Sequence, residues 1–320
     1  MEIYGISDLH IGLNDKATTF ALDKFRECFK KPNSLVLIAG DIFHHANERE
    51  EYVVGFIKLL KECIEVGTKF VIIYGNHDKD YFNRTACSLD VVAEVFTPVD
   101  GKACYDDFEA MPDCCVVEKS AKIYLQDEDV FIGCLSYGFD NLRFPEFYKA
   151  SKKILVCHDF IAPINTTKFD VVIKGHEHNP YVSNNVYSLG TLIPNKKGQG
   201  STYLKITDDI EVVPIDSIKV VDVDIQTSEN LEDFLSSLDN KTIAYITYYG
   251  DYSLISEDVI RDAYAKAMYL SINWSSQSPI TIDDEQIEGD FPPLREYVET
   301  ADIDEAVKSK IAYNISPLIT

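Results

Sequence analysis

Three short apolar runs in the first quarter of the chain end in the same way, and that repetition limits the folds open to it. Glu2-Ile3-Tyr4-Gly5-Ile6-Ser7 runs into Asp8-Leu9-His10. Ser34-Leu35-Val36-Leu37-Ile38-Ala39 runs into Gly40-Asp41, and Val71-Ile72-Ile73-Tyr74 into Gly75-Asn76-His77-Asp78. Short, β-branched runs that are apolar on both faces read as buried parallel strands. In open α/β sheets, chemistry collects at the carboxyl ends of such strands. Asp8, His10, Asp41, Asn76 and His77 are therefore expected on one rim.

The intervening stretches read as helices. Residues 18–30 carry Phe20, Leu22, Phe25 and Phe29 at helical spacing, with Pro32 just beyond. Residues 48–66 set Tyr52, Phe56, Leu59, Leu60 and Cys63 on one face and stop at Gly67. The order β-α-β-α-β predicts an α/β fold with a parallel sheet and covering helices.

Further on, the pattern predicts a helix over 88–95, a loop over 101–115, strands over 121–126 and 130–135, and a helix over 141–149. Lys153-Ile154-Leu155-Val156-Cys157-His158 is another buried strand ending in histidine. Asp170-Val171-Val172-Ile173-Lys174-Gly175-His176-Glu177-His178 repeats the device with a pair. Short antiparallel strands are expected from Tyr181 to Pro214. Near Asp216 the composition shifts. Strands over 218–225, 242–248 and 270–274 then alternate with helices over 228–238, N-capped by Ser228, and 256–268. That module is small and is expected to bury little by itself.

Residues 276–292 form an acidic, proline-bounded linker by composition. Beyond it, Leu294, Tyr297 and Val298, then Ile303, Val307 and Ile311, give helical stripes. The expected organisation is a main domain over 1–215, a small α/β domain over 216–275, the linker, and a helical tail over 293–320.

The chain has 53 acidic against 30 basic residues, a net charge of −23. Such a chain repels nucleic acid unless metals, a basic patch or a partner intervene. Candidate basic residues near the rim are Lys79, Arg84, Lys196 and Lys197. Eight cysteines are scattered without a CxxC pair, as expected of small core residues in a reduced, cytoplasmic protein. No leader pattern and no membrane-length apolar run is evident, so no membrane association is expected.

Seven histidines are present: His10, His44, His45, His77, His158, His176 and His178. One histidine after a strand is most often structural. Five at strand ends, beside Asp8, Asp41 and Asn76, exceed what packing requires. Carboxylate, imidazole and amide oxygen donors without thiolate suit Mn²⁺, Fe²⁺ or Zn²⁺. The set is too large for one tetrahedral site. Two metals about 3.5–4 Å apart, sharing a carboxylate, would use it all. In extended backbone, Asp8-x-His10 and His176-x-His178 would each aim two side chains to one side. Glu177 would then point elsewhere, as an exposed acid.

Asp8-x-His10, Gly40-Asp41, Gly75-Asn76-His77-Asp78, His158 and Gly175-His176-x-His178 together resemble the calcineurin-like metallophosphoesterase pattern, in order and complete. A finer likeness is to the SbcD-type nucleases of DNA double-strand-break repair, including phage recombination nuclease subunits. It rests on Asp41-Ile42-Phe43-His44, on Tyr187-Ser188-Leu189-Gly190-Thr191, and on the domain layout.

The resemblance implies an α/β sandwich: a two-sheet metallophosphoesterase core with flanking helices, plus a small α/β capping domain and a helical C-terminal tail. It implies one metal held by Asp8, His10, Asp41 and His178, and a second by Asp41, Asn76, His158 and His176. His77 would contact the phosphate and the leaving oxygen, with His44 beside the site. Asp78 would raise the basicity of His77 or serve as a cap or ion-pair partner. The implied cofactor is two divalent ions, Mn²⁺ foremost. The implied partners are DNA and an SMC-like coiled-coil ATPase held by the tail, with the chain as a homodimer. Two other readings stand beside this one. A metallophosphatase or phosphodiesterase acting on a small nucleotide or phosphoprotein accounts for the acidic charge directly. A non-catalytic scaffold is opposed by the complete ligand set.

Overall fold

In the computed structural model, the description covers residues 1–79, 86–139, 150–159, 164–216 and 218–275. Arg84, the helix expected over 141–149, the whole linker and the whole tail lie outside the described residues.

The first three runs form β1 (Glu2–Ile6), β2 (Ser34–Ile38) and β3 (Thr68–Ile73), joined by α1 (Asp15–Phe29) and α2 (Glu50–Ile64). β1, β2 and β3 pair in parallel. Asn14 caps α1, its side chain accepting from the Ala17 amide. After α3 (Ser88–Val95) come β4 (Thr97–Pro98), β5 (Gly101–Tyr105), β6 (Cys114–Val117), β7 (Ser120–Leu125) and β8 (Val130–Leu135). The segment 101–115 was expected to be a loop, but only 106–113 is one, and its two ends are strands. β5 is an exposed edge strand without an apolar stripe, and β6 is four buried residues opened by two cysteines. Their strand character comes from pairing with β7 and β3, which no local pattern announces.

β9 (Lys152–Cys157) and β10 (Val171–Lys174) carry the second group of ligands. β11 (Tyr181–Ser183), β12 (Val186–Ser188), β13 (Thr202–Ile206) and β14 (Ile210–Pro214) complete two mixed sheets. One has the order β14-β13-β1-β2-β3-β6-β4, the other β11-β12-β10-β9-β8-β7-β5. β11–β12 and β13–β14 are antiparallel as expected, but β12 pairs in parallel with β10 on its other side.

The two-residue period of a strand sorts the core. Leu35, Leu37, Val71 and Ile73 meet Ile132, Ile154, Val156 and Ile173 between the sheets. Val36, Ile38, Phe70 and Ile72 point the other way, onto Phe25 and Phe29 of α1 and Phe56 and Leu60 of α2. The result is an α/β sandwich of two seven-stranded sheets flanked by helices. Gly5 permits a close approach of the sheets, since a Cβ there would stand 2.7 Å from Ile173 Cδ1.

β15 (Lys219–Ile225), α4 (Ser228–Ser236), β16 (Thr242–Tyr248), α5 (Glu257–Lys266) and β17 (Tyr269–Trp274) form a third, parallel sheet with two helices. The cap of α4 is Thr227, one residue before the expected Ser228. The module has its own buried cluster, with Leu231, Leu235, Ile246 and Tyr248 at its centre. It lies within the compact unit Met1–Ser276, and Lys16 Nζ donates to the carbonyls of Tyr264, Ala265 and Ala267. All eight cysteines are free thiols. Six are buried, Cys28 is half-buried, and Cys104 is exposed, against the expectation that all lie in the core.

Candidate metal centre

The loops that leave β1, β2 and β10 turn immediately. Asp8, His10, Asp41 and His176 have φ of 52°, 47°, 51° and 68°. Left-handed backbone at non-glycine residues costs roughly 1–3 kcal/mol each and persists only where surroundings impose it. The extended geometry expected for Asp8-x-His10 and His176-x-His178 is therefore wrong, although the side chains still converge. Long-range bonds hold the turns: Asp8 N donates to Gly40 O at 3.0 Å and His10 N to Asp41 O at 3.1 Å.

Two glycines let the loops touch. A Cβ at Gly75 would lie 2.0 Å from Asp41 Oδ1, and one at Gly175 would lie 2.3 Å from Ala39 O. Asp78 then clamps two loops together. Its buried carboxylate accepts from Ile42 N (3.0 Å), Phe43 N (3.1 Å) and Gly75 N (2.9 Å). The sequence left Asp78 either to raise the basicity of His77 or to serve as a cap or ion-pair partner. Its hydrogen bonds instead go to backbone amides, which makes it a positioning residue. Burial first, then the charge of Asp41, push its carboxyl up to about 6 against the pull of those amides.

All seven expected ligands meet. His10 Nε2 lies 3.1 Å from His178 Nε2, and Asp8 Oδ1 stands 4.0 and 3.8 Å from these two nitrogens. On the other side, Asn76 Oδ1 lies 2.8 Å from His158 Nε2 and 2.9 Å from His176 Nδ1. Asp41 Oδ2 sits between the groups, 3.9 Å from His10 Nε2 and 3.4 Å from His158 Nε2. Two donors at about 2.1 Å from one cation stand roughly 3.0–3.4 Å apart at octahedral or tetrahedral angles. The observed spacings bracket that range. Asp8 is close to both groups, joining Asp41 and His158 as well as His10 and His178, where the resemblance gave it to one metal only.

The electrostatics call for cations. Asp8 is fully buried, and its Oδ2 has no hydrogen-bond partner among the described residues. A buried carboxylate oxygen without a donor is costly. Burial pushes Asp8 up to about 7, with the charge of Asp41 adding to it against the pull of His158. Burial also opposes ionisation of Asp41 and His158. Their mutual attraction prevails, holding Asp41 below the usual carboxylate range and His158 up at about 9. Burial keeps His10 far below the ordinary histidine value, so it presents a neutral ring. This oxygen and nitrogen donor set fits two divalent ions: Asp8, His10 and His178 around one, Asn76, His158 and His176 around the other, and Asp41 between.

Several residues that sequence reasoning missed orient these ligands. Ala39 O lies 2.8 Å from His158 Nδ1. Gln199 Nε2 lies 3.2 Å from His178 Nδ1. Thr191 Oγ1 donates to Asp8 O at 3.0 Å, and Tyr137 stacks on His176. Partners of this kind fix the ring orientation of metal-binding histidines. Only Thr191 carried a sequence signal, as part of the stretch after the last histidines.

His77 lines the cleft, and its Nδ1 lies 2.6 Å from the carbonyl of His44, which leaves Nε2 for a reacting group. His44 thus touches the site through its peptide. Its own ring is half-buried, held down to about 4 by burial and then by His45 and His77. His45 is exposed, whereas Glu177, expected to point away from the site, lines the cleft while pairing with Lys174. Lys79 is drawn inward, donating to Glu118 O at 2.9 Å over the rings of Tyr74 and Phe139, so it does not serve as a rim base.

A two-sheet α/β sandwich whose facing strand ends gather carboxylates, imidazoles and an amide into clusters able to hold a metal ion is the arrangement of a metal-dependent hydrolase. The model of the calcineurin-like phosphoesterase family matches residues 1–180, more than half of the chain, and the chain belongs to that family. No curated protein matches it. It is a metal-dependent phosphoester hydrolase. Among the described residues, no helix is long and apolar enough to cross a membrane.

Proposed function

We propose that the chain hydrolyses DNA phosphodiesters with two Mn²⁺ ions, as the nuclease subunit of an SbcCD-like repair or recombination complex. One observation carries the reading. The two stretches that resemble SbcD-type nucleases both touch the site. His44, which closes Asp41-Ile42-Phe43-His44, offers its carbonyl to His77. The stretch from Tyr187 to Thr191 buttresses Asp8 through Thr191 and accepts from Ser7 Oγ at Gly190 O.

When bound, the ions would supply a water acidified toward neutrality and positive charge beside the phosphoryl oxygens. The residues do the rest. Asp8, Asp41, Asn76 and the four ligand histidines would hold the ions. The His44 carbonyl holds His77 so that a proton at Nε2 can pass to the departing oxygen. The acidic chain takes its basic surface from an SMC-like ATPase, and the tail over 293–320 is the proposed dock, in a homodimeric assembly.

The test incubates the purified chain and Mn²⁺ with labelled duplex DNA, beside a chromogenic phosphodiester, with and without exhaustive chelation. Cleavage of both, lost on chelation, is expected. Hydrolysis of the small diester alone would favour the small-nucleotide reading. Activity indifferent to chelation would sink the metal mechanism. A chain ending at residue 290 should keep small-diester hydrolysis and lose co-purification with the ATPase.

A further inference from the structure

The cleft above the metal centre has a volume of about 390 Å³. Beside Lys196, its wall holds Asp41, Glu177, three histidines and the amides of Asn76, Asn179 and Gln199, none of which carries a fixed positive charge. Among the described residues lining it, Lys196 is the one lysine or arginine. No ion pair holds it among the described residues. Lys79 is turned inward, and Lys174 is buried against Asp159 and Glu177.

Lys196 also occupies a defined position. It lies on the turn from Asn195 to Gly200. Gln199 Oε1 gathers the amides of Asn195 (2.8 Å) and Lys196 (3.0 Å). Gln199 N donates to Lys196 O at 3.3 Å, and Thr191 N to Gly200 O at 2.9 Å. The same Gln199 reaches His178 with its Nε2, and Thr191 reaches Asp8. The turn is thus tied to two ligand residues. Its lysine is exposed, but its backbone is held at a set position relative to His178 and Asp8.

We propose that Lys196 is a specificity-determining residue that receives a second phosphate of the substrate, next to the one being hydrolysed. The proposal rests on the phosphodiesterase reading and narrows it to substrates with more than one phosphate. The ions and His77 serve the scissile group, so a further cation in the same cleft is surplus for a substrate with one phosphate. For a polyanion approaching a chain of net charge −23, it is the local attraction that offsets long-range repulsion. Lysine, a compact point charge with three donors, suits a phosphate that shifts between successive substrates.

The experiment compares two chromogenic esters in Mn²⁺: thymidine 5′-(4-nitrophenyl phosphate) and the same ester carrying a 3′-phosphate. The wild-type chain should show a KM about fivefold lower for the second, the scale of an exposed charge pair. Lys196→Ala should erase that ratio, Lys196→Arg restore it and Lys196→Glu invert it, while the kcat ratio stays put. With a single-stranded oligonucleotide, Lys196→Ala should flatten the log KM against log salt slope by roughly one. No wild-type preference, or equal losses on both esters in Lys196→Ala, would overturn the proposal. If the ester ratio behaves as described while the oligonucleotide stays uncut, the second-phosphate site stands and the nuclease reading falls.

Discussion

Replacing Asp78 by alanine tests whether its carboxylate is the clamp between the Asp41 and Asn76 loops. The substitution strips the acceptor from three buried amides, those of Ile42, Phe43 and Gly75. Each orphaned donor costs about 1–3 kcal/mol, so the loss is about 6 kcal/mol in mid-range. An opposing effect comes from the charge itself. A carboxyl raised from 3.8 to about 6 by burial and Asp41 destabilises the neutral-pH fold by about 3 kcal/mol, and alanine removes that. The net expectation is a destabilisation of about 3 kcal/mol in chelated protein. Asp78→Asn sheds the charge yet keeps one acceptor oxygen, so it should cost about 1 kcal/mol. Urea unfolding in chelator measures both, and Mn²⁺ titration calorimetry reports whether the loops still present their ligands. If Asp78→Ala unfolds within 1 kcal/mol of wild type and binds Mn²⁺ unchanged, the clamp is not what aligns the site.

Two further outcomes are expected. His77→Ser keeps the backbone amide that donates to Asp41 Oδ1 at 2.8 Å, so metal content should persist while kcat falls about 10²–10⁴-fold; an emptied site by metal analysis would contradict that role. Chelated protein should lose stability as pH rises from about 6.5 to 9, because folded Asp8 (about 7 against 3.8) and folded His158 (about 9 against 6.5) each hold a proton that the unfolded chain has released, whereas below that window His10, His44 and His178, lowered on folding, oppose the trend. Asp41, lowered on folding, is ionised in both states across that window and adds no slope. Bound Mn²⁺ displaces those protons, so its presence should reverse the trend; denaturation curves across pH, with and without metal, decide it.

The strands that carry the site were legible because their encoding is local. A buried parallel strand needs a short β-branched run, and a ligand at its end needs only the next few positions. Asp8, Asp41, Asn76, His158 and His178 could therefore be read in order, without knowing which strands would pair. The edge strand β5 was not legible, since an exposed strand takes its hydrogen bonds from a neighbour rather than from its own apolar pattern.

Tertiary structure alone decided how the ligands turn inward. Asp8 and His176 are 168 positions apart, yet the His176 amide donates to Asp8 Oδ1, and such bonds impose left-handed backbone that neither residue would choose alone. It also decided what serves the ligands. Asp78 could be read as a companion to His77 or as a cap or ion-pair partner, and became a clamp on Ile42 and Phe43. Gln199 looked like an ordinary loop residue and came to rest against His178. A buried polar group takes whichever partner folding brings within 3 Å or so, and that partner is set by the packing of two sheets rather than by distance along the chain.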